Sequence, residues 1–416
     1  MLPAPVSSSR PLRTRQALPI VFAACLVPRF AALLWFPADT SVYYYWEASD
    51  NVLAWGAYTE PLYPALLAVL RFVTGDRLTL VLVGQIAIAA FGGVLLYRLT
   101  ERIAGRRGAG VAVVLYAFDP YLVRQSVSLV EITFCTTLLI AAAHVYARGD
   151  SIGDAALSAT LLGLATLARF ALLTSAIAFI GILLWRHRAW HAVAAAAAVA
   201  VTVGAWTLWT LTTNATVAPT RIGINLFVLT NEYAEQLPPT VNSDVLVPWA
   251  YDSIEAETPG GLSDSDRERV QDTILMRKAL QFVRDHPWTA ARLKARNLAV
   301  SLAPVLLPLD RKPRGAVATI EDGVVRVHGL ERRPIGEHVV YSTSRVILLV
   351  GFVWGVFRRR PRHHAEALLG AIALSIIAVC TIFFPTSRLL APMAFVMMAY
   401  AGVAARGSIS TTPHPP

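Results

Sequence analysis

The chain has 416 residues, of which 55% are hydrophobic and only 15% are charged, and its formal net charge is +10 at pH 7. This composition excludes an ordinary soluble domain, because apolar runs of about 18 or more residues recur and are typical of membrane-spanning helices. The runs lack the alternation of barrel strands, so the sequence predicts an all-α polytopic membrane protein.

About ten membrane-spanning helices are predicted from the apolar runs. They lie near 17–36, 78–99, 108–118, 129–147, 155–170, 171–185, 189–211, 339–357, 365–384 and 389–405. A first outer loop, residues 37–76, follows the first span, and we expect it to contain interfacial helices and the catalytic residue. We divide the chain into a transmembrane core (1–211), a loop subdomain (212–338), and C-terminal helices with a short cytoplasmic tail (339–416).

Arginines mark one side of the membrane. They precede the first span and follow the second, fourth, sixth and eighth, at Arg10, Arg13, Arg15, Arg102, Arg106, Arg107, Arg148, Arg186, Arg188, Arg358, Arg359, Arg360 and Arg362. By the positive-inside rule this side is the cytoplasm, so the two large loops lie outside. The positive net charge is spread over short loops and does not indicate a nucleic-acid-binding surface. Arginine-rich, lysine-poor usage favours a bacterial inner membrane.

The loop subdomain is predicted to be small and mixed α/β. The stretch TIEDGVVRVHG favours a β-hairpin that turns at Asp322 and Gly323. A helix is expected from about Asp266, and Pro287 is expected to begin a second helix, on which Trp288 is a candidate anchor at the membrane interface.

The first outer loop has the spacing of an amphipathic helix. Asp39, Tyr43, Glu47 and Asp50 stand at i, i+4, i+8 and i+11, so they share one helical face beside an apolar face. This pattern predicts an interfacial helix that presents carboxylates to something polar. From spacing alone, the acids could equally be the solvated face of a surface helix.

Further charges lie at the outer ends of the predicted spans. They are Asp119, Arg124, Glu131, Arg169 and Arg388, while Arg29 lies deeper in the first span. Ionisable side chains in spans are costly and usually face a partner or a cavity. Two simpler explanations stay open, that Arg29 pairs with Glu131 and that Arg169 extends to the interface. Together the charges predict an outward-facing polar cavity that holds carboxylates and guanidiniums.

This mixture of charges suits sugar transfer from a lipid carrier. Arginines bind a phosphate that leaves during the reaction, and a carboxylate can accept the proton of an attacking hydroxyl. A sugar on a polyprenyl phosphate presents both needs at the outer face, and no motif for a soluble nucleotide-sugar is seen in the sequence.

Several stretches in chain order resemble one family. They are DTSVYYYWEASDNVLAWGAY with EPLYPALLA, FDPYLVRQSVSLVE, GLATLARF, VRDHPWTAARLKARNLA and PTSRLLAP. They resemble the outer loops, the His-Pro helix and the late arginine motif of the polyprenyl-phosphate-sugar-dependent glycosyltransferases of the GT-C fold. Within that family the chain looks like the group that contains the protein O-mannosyltransferases and the lipid A aminoarabinose transferases.

The resemblance implies a GT-C-like fold and an inverting glycosyltransferase that acts on an acceptor hydroxyl at the extracytoplasmic face. Asp39 matches the family's catalytic base, and Arg388 matches the late arginine motif. Glu131 and Arg169 match positions that belong loosely to the cavity. Glu47 is the alternative base.

The remaining site residues come from combining this resemblance with the charge pattern. Arg124, Arg169 and Arg388 are expected to bind the donor phosphate, and Glu47, Asp119 and Glu131 to be supporting acids. Tyr43, Tyr44 and Tyr63 are expected to contact the sugar or the acceptor. The expected partners are a polyprenyl-phosphate sugar donor, a lipid, glycan or protein acceptor, and membrane lipids, with no nucleic acid. No cofactor is required by the sequence, and a divalent metal stays possible.

The chain also departs from the family pattern. Asp39 is followed by Thr40 where many members have an Asp-Glu pair, Arg169 by Phe170 instead of proline, and Leu389 stands where tyrosine is usual. A catalytically degenerate scaffold is therefore one alternative. A transporter or lipid flippase is another, although the charges cluster at one leaflet and not at the midplane, where transporters bind their substrates.

Overall fold

The computed structural model describes residues 10–35, 44–52, 60–214, 221–238, 243–311, 316–358 and 363–405. The helices of its first half are α1 Arg10–Trp35, α2 Tyr44–Ala48, α3 Leu62–Thr74, α4 Leu78–Phe118, α5 Pro120–Ser126, α6 Ile132–Tyr146, α7 Ile152–Ala168, α8 Leu173–Trp185 and α9 Ala189–Asn214. Those of its second half are α10 Ile222–Phe227, α11 Val247–Asp252, α12 Asp264–Asp285, α13 Pro287–Leu302, α14 Ile335–Arg358, α15 Ala365–Ile382, α16 Ser387–Leu390 and α17 Ala394–Ala404. The strands are β1 Asp310–Arg311, β2 Val317–Glu321, β3 Val324–His328 and β4 Glu331–Arg332.

Among the described residues, six helical segments are long and apolar enough to cross a membrane. They are Gln16–Trp35 of α1, then α4, Ala189–Thr213 of α9, α14, α15 and the segment Ser387–Ala404 formed by α16 and α17. Shorter apolar helical segments include α3, α6, α7 and Phe170–Trp185, which contains α8. The predicted helical membrane protein is thus confirmed, while the number of about ten crossings and the division into 1–211, 212–338 and 339–416 stay predictions.

A break at Gly105 turns α4 back on itself. Gly105 has φ 78° and ψ 179°, a conformation that glycine adopts without the steric cost of a Cβ atom. The hydroxyl of Tyr116 in the second arm donates to the carbonyl oxygen of Ala89 in the first arm at 2.9 Å. The two arms correspond to the spans predicted at 78–99 and 108–118, with the arginine-rich turn between them.

Close contact between α14 and α17 depends on glycine. A Cβ atom on Gly355 of α14 would lie 2.0 Å from the carbonyl oxygen of Tyr400 of α17, a backbone atom that cannot move aside on its own. Small residues let membrane helices approach to this distance, where van der Waals contacts take the place of a hydrophobic driving force. Gly355 therefore sets the separation of these two helices.

We expect Gly355→Ala to destabilise the protein by about 1–3 kcal/mol, because overpacking forces the two helices apart. Thermal unfolding in detergent measures this loss. The matched control is Gly336→Ala in the same helix, since a Cβ atom at Gly336 meets no atom within 4 Å. Equal melting temperatures for Gly355→Ala and the wild type would contradict the assignment.

The larger outer loop forms the elements that its sequence predicts. β2 and β3 pair antiparallel, and Asp322 and Gly323 between them both have positive φ, as a two-residue hairpin turn requires. α12 includes the helix expected from about Asp266, and α13 begins at Pro287. The side chain of Trp288 is exposed, as an interface anchor would be.

The amphipathic helix of the first outer loop is shorter than expected at its carboxyl end. α2 ends at Ala48, so Asp50 lies in the turn that follows and not on the helical face. The physical reason is Arg71 of α3, whose guanidinium lies over the ring of Trp46 and pairs with Asp50 at 2.8 Å. Arg71 also donates to the Ser49 hydroxyl at 2.6 Å, which fixes this turn against α3.

Candidate functional site

Three predicted residues meet in one buried cluster. Glu131 immediately precedes α6, Arg169 lies at the break after α7, and Arg388 lies on α16. Arg169 Nη1 donates to Glu131 Oε1 at 2.6 Å, and Arg388 Nη2 donates to Glu131 Oε2 at 2.7 Å. The Glu131 side chain is only 2% exposed. One buried carboxylate therefore orients two guanidiniums, and we call this group the Glu131 cluster.

Local backbone features direct both arginines to Glu131. Arg169 has an extended backbone (φ −159°, ψ 105°), which ends α7 and turns the side chain away from the helix axis. The N–H of the next residue, Phe170, donates to Glu60 Oε1 at 3.1 Å. Arg388 follows the N-cap Thr386, whose hydroxyl accepts from the Arg388 N–H at 3.0 Å. Each arginine is thus presented from a helix end, where its backbone is held.

Tyrosines cover the cluster on the side of the first outer loop. Arg388 Nη2 donates to the Tyr45 hydroxyl oxygen at 3.3 Å, and the Tyr45 ring packs against Tyr44 and Tyr63, with centroids 4.1 and 5.0 Å away. Burial, reinforced by the negative charge of Glu131, holds the pKa of Tyr45 well above its usual value. Tyr45 is therefore a neutral hydroxyl beside the Arg388 guanidinium.

The cluster keeps hydrogen-bond donors for a ligand. Among the described residues, Arg388 Nη1 and Arg169 Nη2 have no hydrogen-bond partner, and neither atom is a buried orphan. The Arg388 side chain is 35% exposed, so solvent reaches its guanidinium. Two guanidiniums with free donors next to a neutral hydroxyl are suited to binding a phosphate or another oxyanion.

Asp119 lies in a second polar group, where it caps a helix. Its Oδ1 accepts from the Leu122 N–H at 2.8 Å, and its Oδ2 accepts from the Ser344 hydroxyl at 2.9 Å. Burial raises the pKa of Asp119 despite these two bonds. A cavity of about 50 Å³ separates Asp119 from Arg345 of α14. Asp119 was expected as a supporting acid, and the bonds it makes are those of an N-cap.

The other predicted residues lie in varied surroundings. Arg124 lies on α5 near Tyr341 of α14. Glu47 is exposed on α2, and Tyr44 is half-buried against Tyr45. Tyr63 is fully buried, and its hydroxyl donates to Gln85 Oε1 at 2.7 Å, so its side chain packs beneath the cluster and offers no surface to a ligand. Asp39 and Tyr43 lie outside the described residues.

The two simpler explanations for the buried charges are wrong. Arg29 does not pair with Glu131, because its Nη1 donates to Cys25 O at 2.8 Å and its Nη2 to Tyr116 O at 3.3 Å. Arg169 does not extend to the interface, since its side chain is 14% exposed and bound to Glu131.

Sequence reasoning missed three residues near the cluster. They are Tyr45, Glu60 and Tyr121. Burial raises the pKa of Tyr121, although the nearby charges of Arg388 and Arg169 act in the other direction. The YYY run and the EPLYP stretch marked the positions of Tyr45 and Glu60, but a five-residue helix does not reveal from sequence which tyrosine faces inward.

Within the described part of the chain, no group of three or more His, Cys, Asp or Glu residues could hold a metal ion. Asp39 is not among the residues searched, so the use of a divalent metal stays a prediction.

Comparison with known proteins identifies one matching family. Residues 59–210 match the family described as dolichyl-phosphate-mannose-protein mannosyltransferase. No curated protein matches the chain.

Two solved structures illustrate the similarity in fold. One is the oligosaccharyltransferase AglB of Archaeoglobus fulgidus with an inhibitory peptide and a dolichol-phosphate, at 13% identity over 96% of this chain and 50% of that chain, with a TM-score of 0.49. The other is ArnT of Cupriavidus metallidurans bound to undecaprenyl phosphate, at 11% identity over 92% of this chain and 77% of that chain, with a TM-score of 0.39. The chain spans about half the length of AglB. The predicted resemblance to glycosyltransferases that use polyprenyl-phosphate sugars is confirmed over residues 59–210, which are similar to the dolichyl-phosphate-mannose-protein mannosyltransferases.

Proposed function

We propose that this protein is a membrane glycosyltransferase that moves a sugar from a polyprenyl-phosphate-linked donor to an acceptor hydroxyl, with inversion at the anomeric carbon. The observation that carries the proposal is the Glu131 cluster, in which one buried carboxylate orients Arg169 and Arg388 with donors left over. The family match over residues 59–210 supports the same chemistry.

The reaction has one bond-forming and one bond-breaking event. Asp39 accepts the proton of the acceptor hydroxyl as its oxygen attacks the anomeric carbon, and the bond from that carbon to the phosphate oxygen breaks. The polyprenyl phosphate leaves with the bonding electron pair. Attack from the side opposite the leaving phosphate inverts the configuration.

Arg388 and Arg169 neutralise the charge that develops on the departing phosphate. Preorganised donors of this kind cost little reorganisation during the reaction, because Glu131 already fixes their orientation. Tyr45 lies against Arg388 and, with Tyr44, forms the wall of the site on the side of the first outer loop. Tyr44 is half-buried and remains a candidate contact for the sugar or the acceptor.

The distribution of arginines supports an active site on the extracytoplasmic side of a bacterial inner membrane. Sequence reasoning assigns the arginine-rich turns to the cytoplasm, and the Glu131 cluster lies at the opposite ends of α6 and α7 from those turns. The acceptor would then be a lipid, glycan or protein on the outer side.

We expect Arg388→Ala to lower the rate of sugar transfer by roughly 100-fold or more, because one charge-assisted contact to the leaving phosphate is lost. Purified protein is incubated with polyprenyl-phosphate sugars and candidate acceptors, and covalent attachment of the sugar is measured. Arg326→Ala, on the exposed hairpin, is the matched control. No transfer by the wild type with any donor, or equal transfer by Arg388→Ala, would refute the proposal. Movement of the lipid across liposomes without sugar attachment would instead support a flippase.

A further inference from the structure

The carboxyl end of α15 is capped by side chains from α13 of the larger outer loop. Lys294 Nζ donates to the carbonyl oxygen of Ile382 at 2.6 Å. Asn297 Nδ2 donates to the carbonyl oxygens of Thr381 and Phe383 at 3.3 and 3.4 Å. The last carbonyl groups of a helix have no partner within it, and a cation there also meets the negative end of the helix dipole. α13 therefore satisfies the end of the helix that leads into Arg388.

A second connection lies next to Arg388 itself. The N–H of Leu307 donates to the Ser387 hydroxyl oxygen at 2.8 Å, and the N–H of Ser387 donates to the carbonyl oxygen of Leu307 at 3.1 Å. Leu307 follows α13 in the chain and is 3% exposed. The segment between α15 and Arg388 is thus bound at both ends by residues of α13 or of the stretch just after it.

The other face of α13 is bound to the rest of the outer loop. Lys294 Nζ also donates to the Thr230 hydroxyl at 2.6 Å, and Arg296 Nη2 donates to the carbonyl oxygen of Ala234 at 2.9 Å. Burial, together with the charge of Arg296, lowers the pKa of Lys294 to about 8, so the side chain is still mostly a cation at pH 7. Lys294 is a single point of contact between the outer loop and the end of α15.

We infer that α13 positions Arg388 for the donor phosphate, with Lys294 and Asn297 as its positioning residues. The inference rests on the proposed function, because it assumes that Arg388 meets the phosphate. Neither residue touches the Glu131 cluster in the described structure. They act by fixing the backbone from Thr381 to Ser387, which decides where the Arg388 side chain begins.

We expect Lys294→Met to weaken the binding of undecaprenyl phosphate, and to raise KM for the sugar donor, by roughly three- to tenfold, with a smaller effect on kcat. Lys294→Arg keeps the charge and the donors and should recover most of the affinity. The matched control is Arg292→Met, one turn earlier in the same helix, where an exposed side chain pairs with Glu235 and not with α15. If Lys294→Met does not fold, Ser387→Ala tests the second connection, since it removes only the acceptor of the Leu307 N–H.

The decisive measurement is a double-mutant cycle with Arg388→Ala. If Lys294 acts through Arg388, Lys294→Met has no further effect on lipid-phosphate affinity once Arg388 is gone. An equal loss in both backgrounds, or an unchanged affinity in Lys294→Met alone, would overturn the inference. If Arg388→Ala itself leaves donor binding and transfer unchanged, the proposed function fails instead, so the two failures are distinguishable.

Discussion

Replacement of Asp39 by asparagine is expected to lower sugar transfer by roughly 100- to 10,000-fold, because an amide cannot accept the proton of the attacking hydroxyl. The affinity for polyprenyl phosphate should change little, since the arginines of the Glu131 cluster provide the phosphate contacts. Single-turnover transfer and lipid-phosphate binding, measured on the same purified protein, separate the two effects. A loss in kcat with a nearly constant donor KM is the signature of a group that acts in the chemical step.

Glu47→Gln decides between the two candidate bases of the first outer loop. Glu47 lies exposed on α2, close in sequence to Tyr45, so it is near enough to be the alternative. If Asp39 is the base, Glu47→Gln retains most of the activity that Asp39→Asn loses. The matched control for a lost surface carboxylate is Asp252→Asn at the end of α11, which is exposed in the outer loop. Equal transfer by Asp39→Asn and the wild type would refute the assignment of Asp39.

Features that depend on local chemistry could be predicted from the sequence. The hairpin at Asp322 and Gly323 was predictable because a two-residue turn requires positive φ at both positions, and this pair tolerates it. The start of α13 at Pro287 was predictable because proline suits the first turn of a helix. The helical membrane architecture followed from the length and apolarity of the runs.

The pairing of the buried charges could not be predicted, because it depends on which helix ends meet. Glu131 and Arg388 are 257 residues apart, and sequence gave no reason to prefer Arg388 over Arg29 as the partner of Glu131. Arg29 instead satisfies two backbone carbonyl groups, a solution that leaves no charge pattern in the sequence. Depth in the membrane identified the charged residues but not their partners.

The orientation of the tyrosines was also beyond sequence reasoning. The helical spacing selected Tyr43 and Tyr44 as contacts, whereas Tyr45 is the tyrosine that bonds to Arg388. The helix expected to extend past Asp50 ends at Ala48, where Arg71 fixes the following turn. A single long-range arginine therefore decides the end of α2.

Loss of the Glu131 charge is expected to produce the largest change in stability. Glu131→Gln leaves two guanidiniums without their counter-ion, and breaking a buried ion pair on one side costs about 3–5 kcal/mol of unfolding free energy. We expect the lower end of this range, because the Arg388 side chain is 35% exposed and water can solvate part of its charge. Thermal unfolding in detergent measures the loss. Glu101→Gln, a half-buried acid bonded to Arg106 at 3.1 Å, is the control and should change stability by less than about 1 kcal/mol.

Two further measurements show whether the loss comes from unpaired positive charge. Added undecaprenyl phosphate should stabilise Glu131→Gln more than the wild type, because the bound anion supplies the missing negative charge. The double variant Glu131→Gln with Arg388→Met should recover part of the stability, since removing both partners is less costly than removing one. The double variant should not recover transfer, because the guanidinium that meets the phosphate is absent. A Glu131→Gln protein that unfolds at the wild-type temperature would show that the two arginines do not depend on this carboxylate.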